Sequence, residues 1–386
     1  MKNGSQLLNA MANGRVIEQK AMEAWKRGPF APHFHQTGFL HCASETCPEK
    51  AVGTLNRFRK SAEAHPRVKK HVEPINSRQD IVDQFWQFQD GPLTGWRGYL
   101  NRYDGYAHSS NSLIGVHQVC AASGVRFLLG QETVEIVYEK GPGGSTKATG
   151  VRTKSGALHK GKLIIVALGA AAAELVPQIG KQVVAKSWSV AHVKLTDEEA
   201  SMLKGIPVTY ARDLGFMFEP EPGTNLLKLC PMGGGFINTD PKTGISRPPP
   251  SPTDSHFLPV EDEKRMRKLL AHTLPCLADR PLINKTLCWF ADTVDSDFII
   301  DYVPETSSSV VLLSGDSGHG FKMFPIVGDW VKELLEAKDG KQPVARWRWK
   351  NQDSKEGNTN WGSDVSWRVG NTVEFEEIRP QPKSRL

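Results

Sequence analysis

Cys288, Lys228 and the run Gly315-Asp-Ser-Gly-His-Gly-Phe-Lys322 are the residues whose types and spacing could support a reaction. The run follows the apolar stretch Val310-Val-Leu-Leu313, and a helix is predicted from about Phe321 to Ala337. A glycine turn between strand and helix can hold an anionic or electron-accepting group on backbone N–H groups and the helix dipole. Gly315-Asp-Ser-Gly318 also matches the short core of a trypsin-type serine motif. It continues His-Gly-Phe-Lys, and no Ala-Ala-His-Cys segment lies upstream, so plain turn residues are the better reading. Cys288 is by type a small core residue; its chemical reading is a thiolate nucleophile or covalent anchor, which needs a positive environment. Lys228 sits in a strand pattern between Leu227 and Leu229. It is either an edge residue with its tip in water or a functional amine, and pattern alone favours the surface.

Two other clusters read better as structure. His33, His35, His41, Cys42 and Cys47 offer metal-ligand types, and His-x-His places two rings on one strand face. No second pair lies at a recognisable distance, so no metal is expected. Arg346-Trp-Arg-Trp-Lys350 interleaves cations and aromatics as a single-strand binder would. It has no companion patch, so tryptophan packing with cations outward is expected, and no nucleic acid.

The elements that must position these residues form a mixed α/β pattern. Helical spacing covers 15–26, with Ile17, Ala21, Ala24 and Trp25 on one side, and Gly28-Pro29 stops it. Helices are also predicted at 48–63, 78–88, 107–123 and after Pro259. Strands are predicted at 33–41, 95–100, 125–129, 133–138, 148–153, 163–167, 187–195, 215–219, 225–230, 284–290, 297–302 and 309–314. Strand-rich regions between helical ones predict two interleaved domains. With 386 residues the chain has ample length for a buried core. A net charge of +6, from 48 basic and 42 acidic residues, is too weak and too spread to argue for nucleic acid. No apolar run approaches a membrane span, so no membrane partner is expected. The six cysteines are dispersed and read as reduced thiols.

Several segments together carry a resemblance: Ala24-Trp-Lys with His35-Gln-Thr-Gly-Phe-Leu40, Gly95-Trp-Arg-Gly-Tyr, Gly105-Tyr-Ala-His108, Gly215-Phe-Met-Phe-Glu-Pro220, Cys288-Trp-Phe-Ala-Asp-Thr293, Ser317-Gly-His-Gly-Phe-Lys322, and Trp347-Arg-Trp with Asn360-Trp361. Over nearly its whole length the chain resembles the fungal fructosyl amino acid oxidases (amadoriases), within the wider monomeric sarcosine oxidase group. The resemblance implies an α/β (α+β) FAD-dependent oxidoreductase of the DAO type. A Rossmann-like FAD domain (1–30, 92–175 and 280–345) would interleave with an antiparallel-sheet substrate domain (31–91 and 176–279), leaving 346–386 as a tail. It implies a monomer that oxidises the C–N bond of a secondary amine or amino acid, with O2 as acceptor and H2O2 as product. Cys288 would be the covalent attachment point of FAD. Gly318, His319, Gly320 and Phe321 would lie against the flavin ring, with the helix N-terminus at its pyrimidine edge. Lys322 would bind the substrate carboxylate, Lys228 would assist O2 reduction, and Val134 and Gly169 would touch the adenosine half.

Two departures from the family pattern follow. No Gly-x-Gly-x-x-Gly is present, so the first βαβ unit is expected to be missing, and its sheet to expose apolar edges. This leaves a second expectation open, a truncated or weak member that binds FAD poorly. Met232 stands where amadoriases have an acid and sarcosine oxidases a histidine, so the substrate-amine contact is expected to differ. Finally, Ser384-Arg385-Leu386 is close to the Ser-Lys-Leu peroxisomal address, which predicts a peroxisomal import receptor as partner.

Overall fold

The structure is a computed structural model, and it describes residues 17–141, 146–350 and 370–380. Ser384, Arg385, Leu386 and the Asn360-Trp361 segment lie outside the described residues. The chain divides into two compact units, each assembled from three stretches of sequence. The first is Met1–His35, Ala107–Ala185 and Phe290–Glu356; the second is Gln36–Tyr106, Lys186–Trp289 and Gly357–Leu386. Interleaving is therefore present, but the boundaries differ from those drawn on the sequence. Residues 92–106 belong to the second unit because Arg97–Asn101 pairs antiparallel with Phe39–Ala43, a partner more than fifty residues upstream. Residues 280–289 join it because Leu282–Thr293 pairs with Val183–Lys194.

The second unit is built on a ten-stranded sheet. Its middle runs Val183–Lys194, Leu226–Pro231, Gly215–Met217, Val208–Ala211, Phe39–Ala43. Strand alternation divides Leu226–Pro231 cleanly: Leu227 and Leu229 are fully buried, whereas Leu226, Lys228 and Cys230 on the other face are half-buried. Helix Val260–Thr273 covers the apolar face. Glu261, Asp262 and Glu263 occupy its first turn, where the dipole favours anions. Met266, Leu269, Leu270 and Thr273 recur at helical spacing and are buried. Met266, Leu269 and Leu270 share one core with Leu227, Leu229, Ala191 and Val193. One face of the sheet is thus sealed, and chemistry is left to the other.

The first unit holds two three-stranded sheets. Ile299–Tyr302 pairs antiparallel with Val310–Ser314, which pairs parallel with Ile164–Val166; Thr133–Lys140, Thr146–Thr153 and Leu158–Lys160 form a meander. Its core joins Ala21, Phe298, Ile300, Val311, Met323, Trp330, Leu334 and Trp347. Trp347, from the Arg-Trp-Arg-Trp-Lys run, packs 4.5 Å from Trp330, while Arg346 pairs with Asp297 and Lys350 with Asp295. Trp347 is core packing, as expected, but the cations are not outward: Arg346, Arg348 and Lys350 are half-buried, two in those ion pairs and Arg348 on the Gln342 carbonyl. Among the described residues, Ile164–Val166 is an edge of its sheet and Ile165 is 47% exposed.

Two predicted elements do not form. Val125–Leu129 is irregular and exposed, with Leu129 at 74%. A strand needs a neighbour to take its backbone N–H and C=O groups, and this segment has no ladder partner among the described residues. Nor does a helix open on the glycine turn. Phe321–Met323 makes a single 3₁₀ turn, and the α-helix begins only at Val327. Pro325 lies between them, and the break falls at Ile326, whose φ of −121° and ψ of −6° lie outside helical geometry and make it the N-cap of the α-helix. Among the described residues no helix is long and apolar enough to cross a membrane.

Candidate functional site

In the first unit the site is the turn that closes strand Val310–Ser314. Gly315 has φ +77°, and a Cβ there would meet Asp297 O, Ile299 N and Thr293 Cγ2 at 3.0 Å, so only glycine fits. Asp316 then clamps the turn. One carboxylate oxygen accepts from Gly318 N–H (3.2 Å) and Ala291 N–H (3.2 Å). Ser317 is fully buried, and its hydroxyl lies 3.1 Å from Thr293 N and 3.1 Å from Thr293 Oγ1. His319 turns instead to Ser296 O, 2.9 Å away. With Ser317 inward and its hydroxyl committed to Thr293, the motif's serine has no base beside it among the described residues, and the serine-hydrolase reading of this motif fails.

The turn leaves Gly318 exposed, with φ +74°, followed by a half-buried Gly320 and by Phe321 and Lys322 at the surface. Trp25, 3% exposed, donates its indole N–H to Lys322 O (2.8 Å), and its ring lies 5.7 Å from Phe321. The Ala24-Trp-Lys segment therefore fixes the backbone that presents Lys322. The Lys322 ammonium carries a carboxylate, that of Glu18 at 2.5 Å, with both side chains half-exposed. Such an exposed pair contributes at most about 1 kcal/mol and exchanges readily with an external carboxylate. Because the α-helix begins at Val327, the dipole at Gly320 is that of one 3₁₀ turn, weaker than a helix opening on this turn would supply. Val134 is exposed on the first strand of the meander, and Gly169, φ +52°, opens the turn after Ile164–Val166.

Asp316 and His319 set opposite pH limits on this turn. Burial pushes the Asp316 carboxyl up to about 6, against the pull of its two N–H donors. Its raised value favours the protonated fold, so its contribution is complete below the ordinary value near 4 and is lost as pH rises through 6. Burial, then the charge of Lys322, lowers the His319 imidazole to about 4. Its contribution holds above pH ~6.5 and is lost as pH falls through 4. We expect the wild-type minus D316N difference in unfolding free energy to fall by roughly 2–3 kcal/mol between pH 4 and 7.5. Denaturant titrations across that range would show it; a flat difference contradicts the assignment.

In the second unit the site is the open face of the large sheet. Lys228 is mid-sheet, flanked by strands on both sides, so it is not an edge residue. Its Nζ lies 5.7 Å from the centroid of the Phe218 ring, and His192 is its direct cross-strand partner. Aromatic rings continue the face: Phe216 stacks on Tyr210 at 3.9 Å, and Tyr210 on His41 at 4.7 Å. Tyr106 donates its hydroxyl to Glu219 (2.7 Å). Cys288 is exposed and outside any disulfide, not the core residue its type suggests. Burial raises the neighbouring Cys230 thiol; Lys228 opposes this and Cys288 adds to it, so the three form one electrostatic group. Met232 is 6% exposed, and its carbonyl accepts from Arg265 (3.1 Å). With Arg212, Asp213 and Lys268 it lines a cavity of about 740 Å³.

Alternation sends His41 and Cys42 to opposite faces of their strand: His41 bonds the Tyr99 hydroxyl (3.1 Å), while Cys42 joins the core. Among the described residues no three His, Cys, Asp or Glu side chains are grouped to hold a metal. Sequence reasoning missed Asp316 as the clamp, Trp25 as the support of Lys322, and the His192–Lys228–Phe218 row. Asp316 stood inside the glycine run, and Trp25 inside a quoted segment. The row joins three distant segments and left no local signal.

Comparison with known proteins adds the family. The profile described as FAD dependent oxidoreductase (DAO) matches residues 10–334. The chain is 28% identical over 375 residues to L-saccharopine oxidase of Schizosaccharomyces pombe, covering 93% of this chain and 83% of that one. Fructosamine oxidase (Amadoriase II) from Aspergillus fumigatus superposes with a TM-score of 0.80 at 26% identity, over 95% of this chain and 83% of that one. Fructosyl peptide oxidase from E. terrenum does so with a TM-score of 0.81 at 25% identity, over 100% and 86%. The chain belongs to the FAD dependent oxidoreductase (DAO) family.

Proposed function

We propose that this protein oxidises the C–N bond of a secondary amine or amino acid, of the fructosyl amino acid, saccharopine or N-methyl amino acid type. Two electrons and two protons leave the substrate as an imine and reduce O2 to H2O2; water then cleaves the imine to a carbonyl compound and an amine. The observation that carries this reading is Lys322, held by Trp25 and already bearing a carboxylate on its ammonium. That supports recognition of a substrate acid group. The name of the S. pombe relative, L-saccharopine oxidase, supports a secondary amino acid as substrate.

The residues at the ring end fit FAD. Cys288 presents an exposed thiol, and Gly318 and Gly320 present backbone without side chains. A Cβ on Gly320 would lie 2.5 Å from Asp316 Cβ, so the turn must stay bare there. FAD, when bound, supplies the electron acceptor for the amine and the donor for O2. Cys288 would anchor it covalently; Gly318, His319, Gly320 and Phe321 would line its ring; Val134 and Gly169 would touch its adenosine half. His319, neutral at neutral pH, adds no charge beside Lys322. Lys228 places a fixed cation where oxygen gains negative charge. Met232, a thioether, cannot pair with a substrate ammonium.

A peroxidase-coupled assay tests the reading. Fructosyl valine, saccharopine or sarcosine should release H2O2 in step with substrate loss; H2O2 from none of them would reject it. We also read Ser384-Arg385-Leu386 as a peroxisomal address: deleting it should move a fluorescent fusion from peroxisomes to the cytosol, and unchanged placement would reject that.

A further inference from the structure

Lys228 is the centre of a row that crosses three neighbouring segments of the large sheet. On one side, the antiparallel register places His192 directly opposite it, between the adjacent pairs Ala191↔Leu229 and Val193↔Leu227 that face the core. On the other side, Phe218 N–H donates to Lys228 O (3.3 Å), continuing the ladder after Met217↔Leu229. Directly opposed residues share a face with Cβ atoms about 4.5–5.5 Å apart. The Phe218 ring under the ammonium shows that the row points the same way. A lysine stem has four rotatable bonds, so a cation on an open sheet face needs neighbours to fix it. Phe218 supplies a π face. His192 Nδ1 is buried and has no hydrogen-bond partner among the described residues. A neutral imidazole has one acceptor nitrogen and an ammonium three donors.

We propose that His192 is a positioning residue for Lys228, holding the ammonium over the open face as a neutral acceptor on the adjoining strand. This rests on the reading of Lys228 as the cation that serves O2 reduction. Burial, then the charge of Lys228, lowers the imidazole, while Glu221 raises it. The other titratable groups at this face are Cys230 on the lysine's own strand and Cys288, whose charge bears on Cys230. At neutral pH the imidazole is uncharged and can accept. Once protonated it becomes a second cation beside the first and repels it.

Two measurements on the purified full chain test the inference. The first is a ring-proton NMR titration of His192, which needs no turnover. In Lys228→Met its midpoint should rise by on the order of 0.5–1 pH unit, because a neighbouring cation is gone; an unchanged midpoint overturns the inference. The second is stopped-flow kinetics. His192→Leu should slow the oxidative half-reaction about tenfold more than the reductive one, and His192→Gln should recover most of it. Its acid limb, present in the wild type, should be missing in His192→Gln. Equal slowing of both half-reactions, or no recovery by glutamine, overturns it. Should Lys228→Met leave the oxygen step intact while the NMR midpoint moves, the pairing is real and the assigned role of Lys228 is what fails.

Discussion

Lys228→Met should slow the reaction with O2 by on the order of 10²–10³-fold while changing substrate oxidation far less. The physical argument is one of charge. Reduction of O2 builds negative charge on oxygen before protons arrive, and a pre-positioned cation on a partly desolvated face stabilises it without reorganising solvent. Methionine keeps the length and much of the volume of lysine, so the sheet and the Phe218 contact survive and only the charge is lost. Lys228 lies mid-sheet over Phe218 and opposite His192, which makes it a fixed cation and not a solvated tail. Stopped-flow traces of the two half-reactions separate these effects. A variant that loses both rates in equal proportion would assign Lys228 to substrate binding or to folding.

Cys288→Ala should abolish covalent attachment of FAD. After acid precipitation, wild-type protein should retain its flavin in the pellet, and the variant should release all of it to the supernatant. Cys288 is exposed on a strand whose neighbours Leu287 and Phe290 are buried, so removing its sulfur leaves no cavity and costs little stability. The retained neighbour Cys230 is a control within the same molecule. Its thiol is raised by burial, so it reacts poorly and should not substitute. Flavin that stays in the pellet of C288A would remove Cys288 as the anchor.

Much of the fold was legible because its signals are local. Val260–Thr273 announced itself by acids in its first turn and apolar residues at helical spacing, and Leu226–Pro231 by alternation. What failed depended on partners or on one competing residue. Val125–Leu129 has strand composition but no neighbour among the described residues, and Ile326, outside helical geometry, delays a helix that the pattern alone would start at Phe321. The domain boundary near residue 92 was misplaced because the pairing of Arg97–Asn101 with Phe39–Ala43 is non-local. The site shows the same division. Cys288 and the glycine run stand out by type and spacing. The meaning of Lys228 does not, since alternation between two leucines fits a surface lysine as well as a bracketed one. Ser317 illustrates the converse: its motif suggested a nucleophile, and its burial against Thr293 shows a turn.

The central claim, flavin-dependent oxidation of a secondary amine, is tested most directly by following the flavin band near ~450 nm in the purified full chain supplied with FAD and kept free of oxygen. Adding a panel of fructosyl valine, saccharopine and sarcosine should bleach the band with at least one of them, and admitting air should restore it with one H2O2 per substrate consumed. A chain that retains no flavin, or one whose flavin band no secondary amine bleaches, would contradict the account.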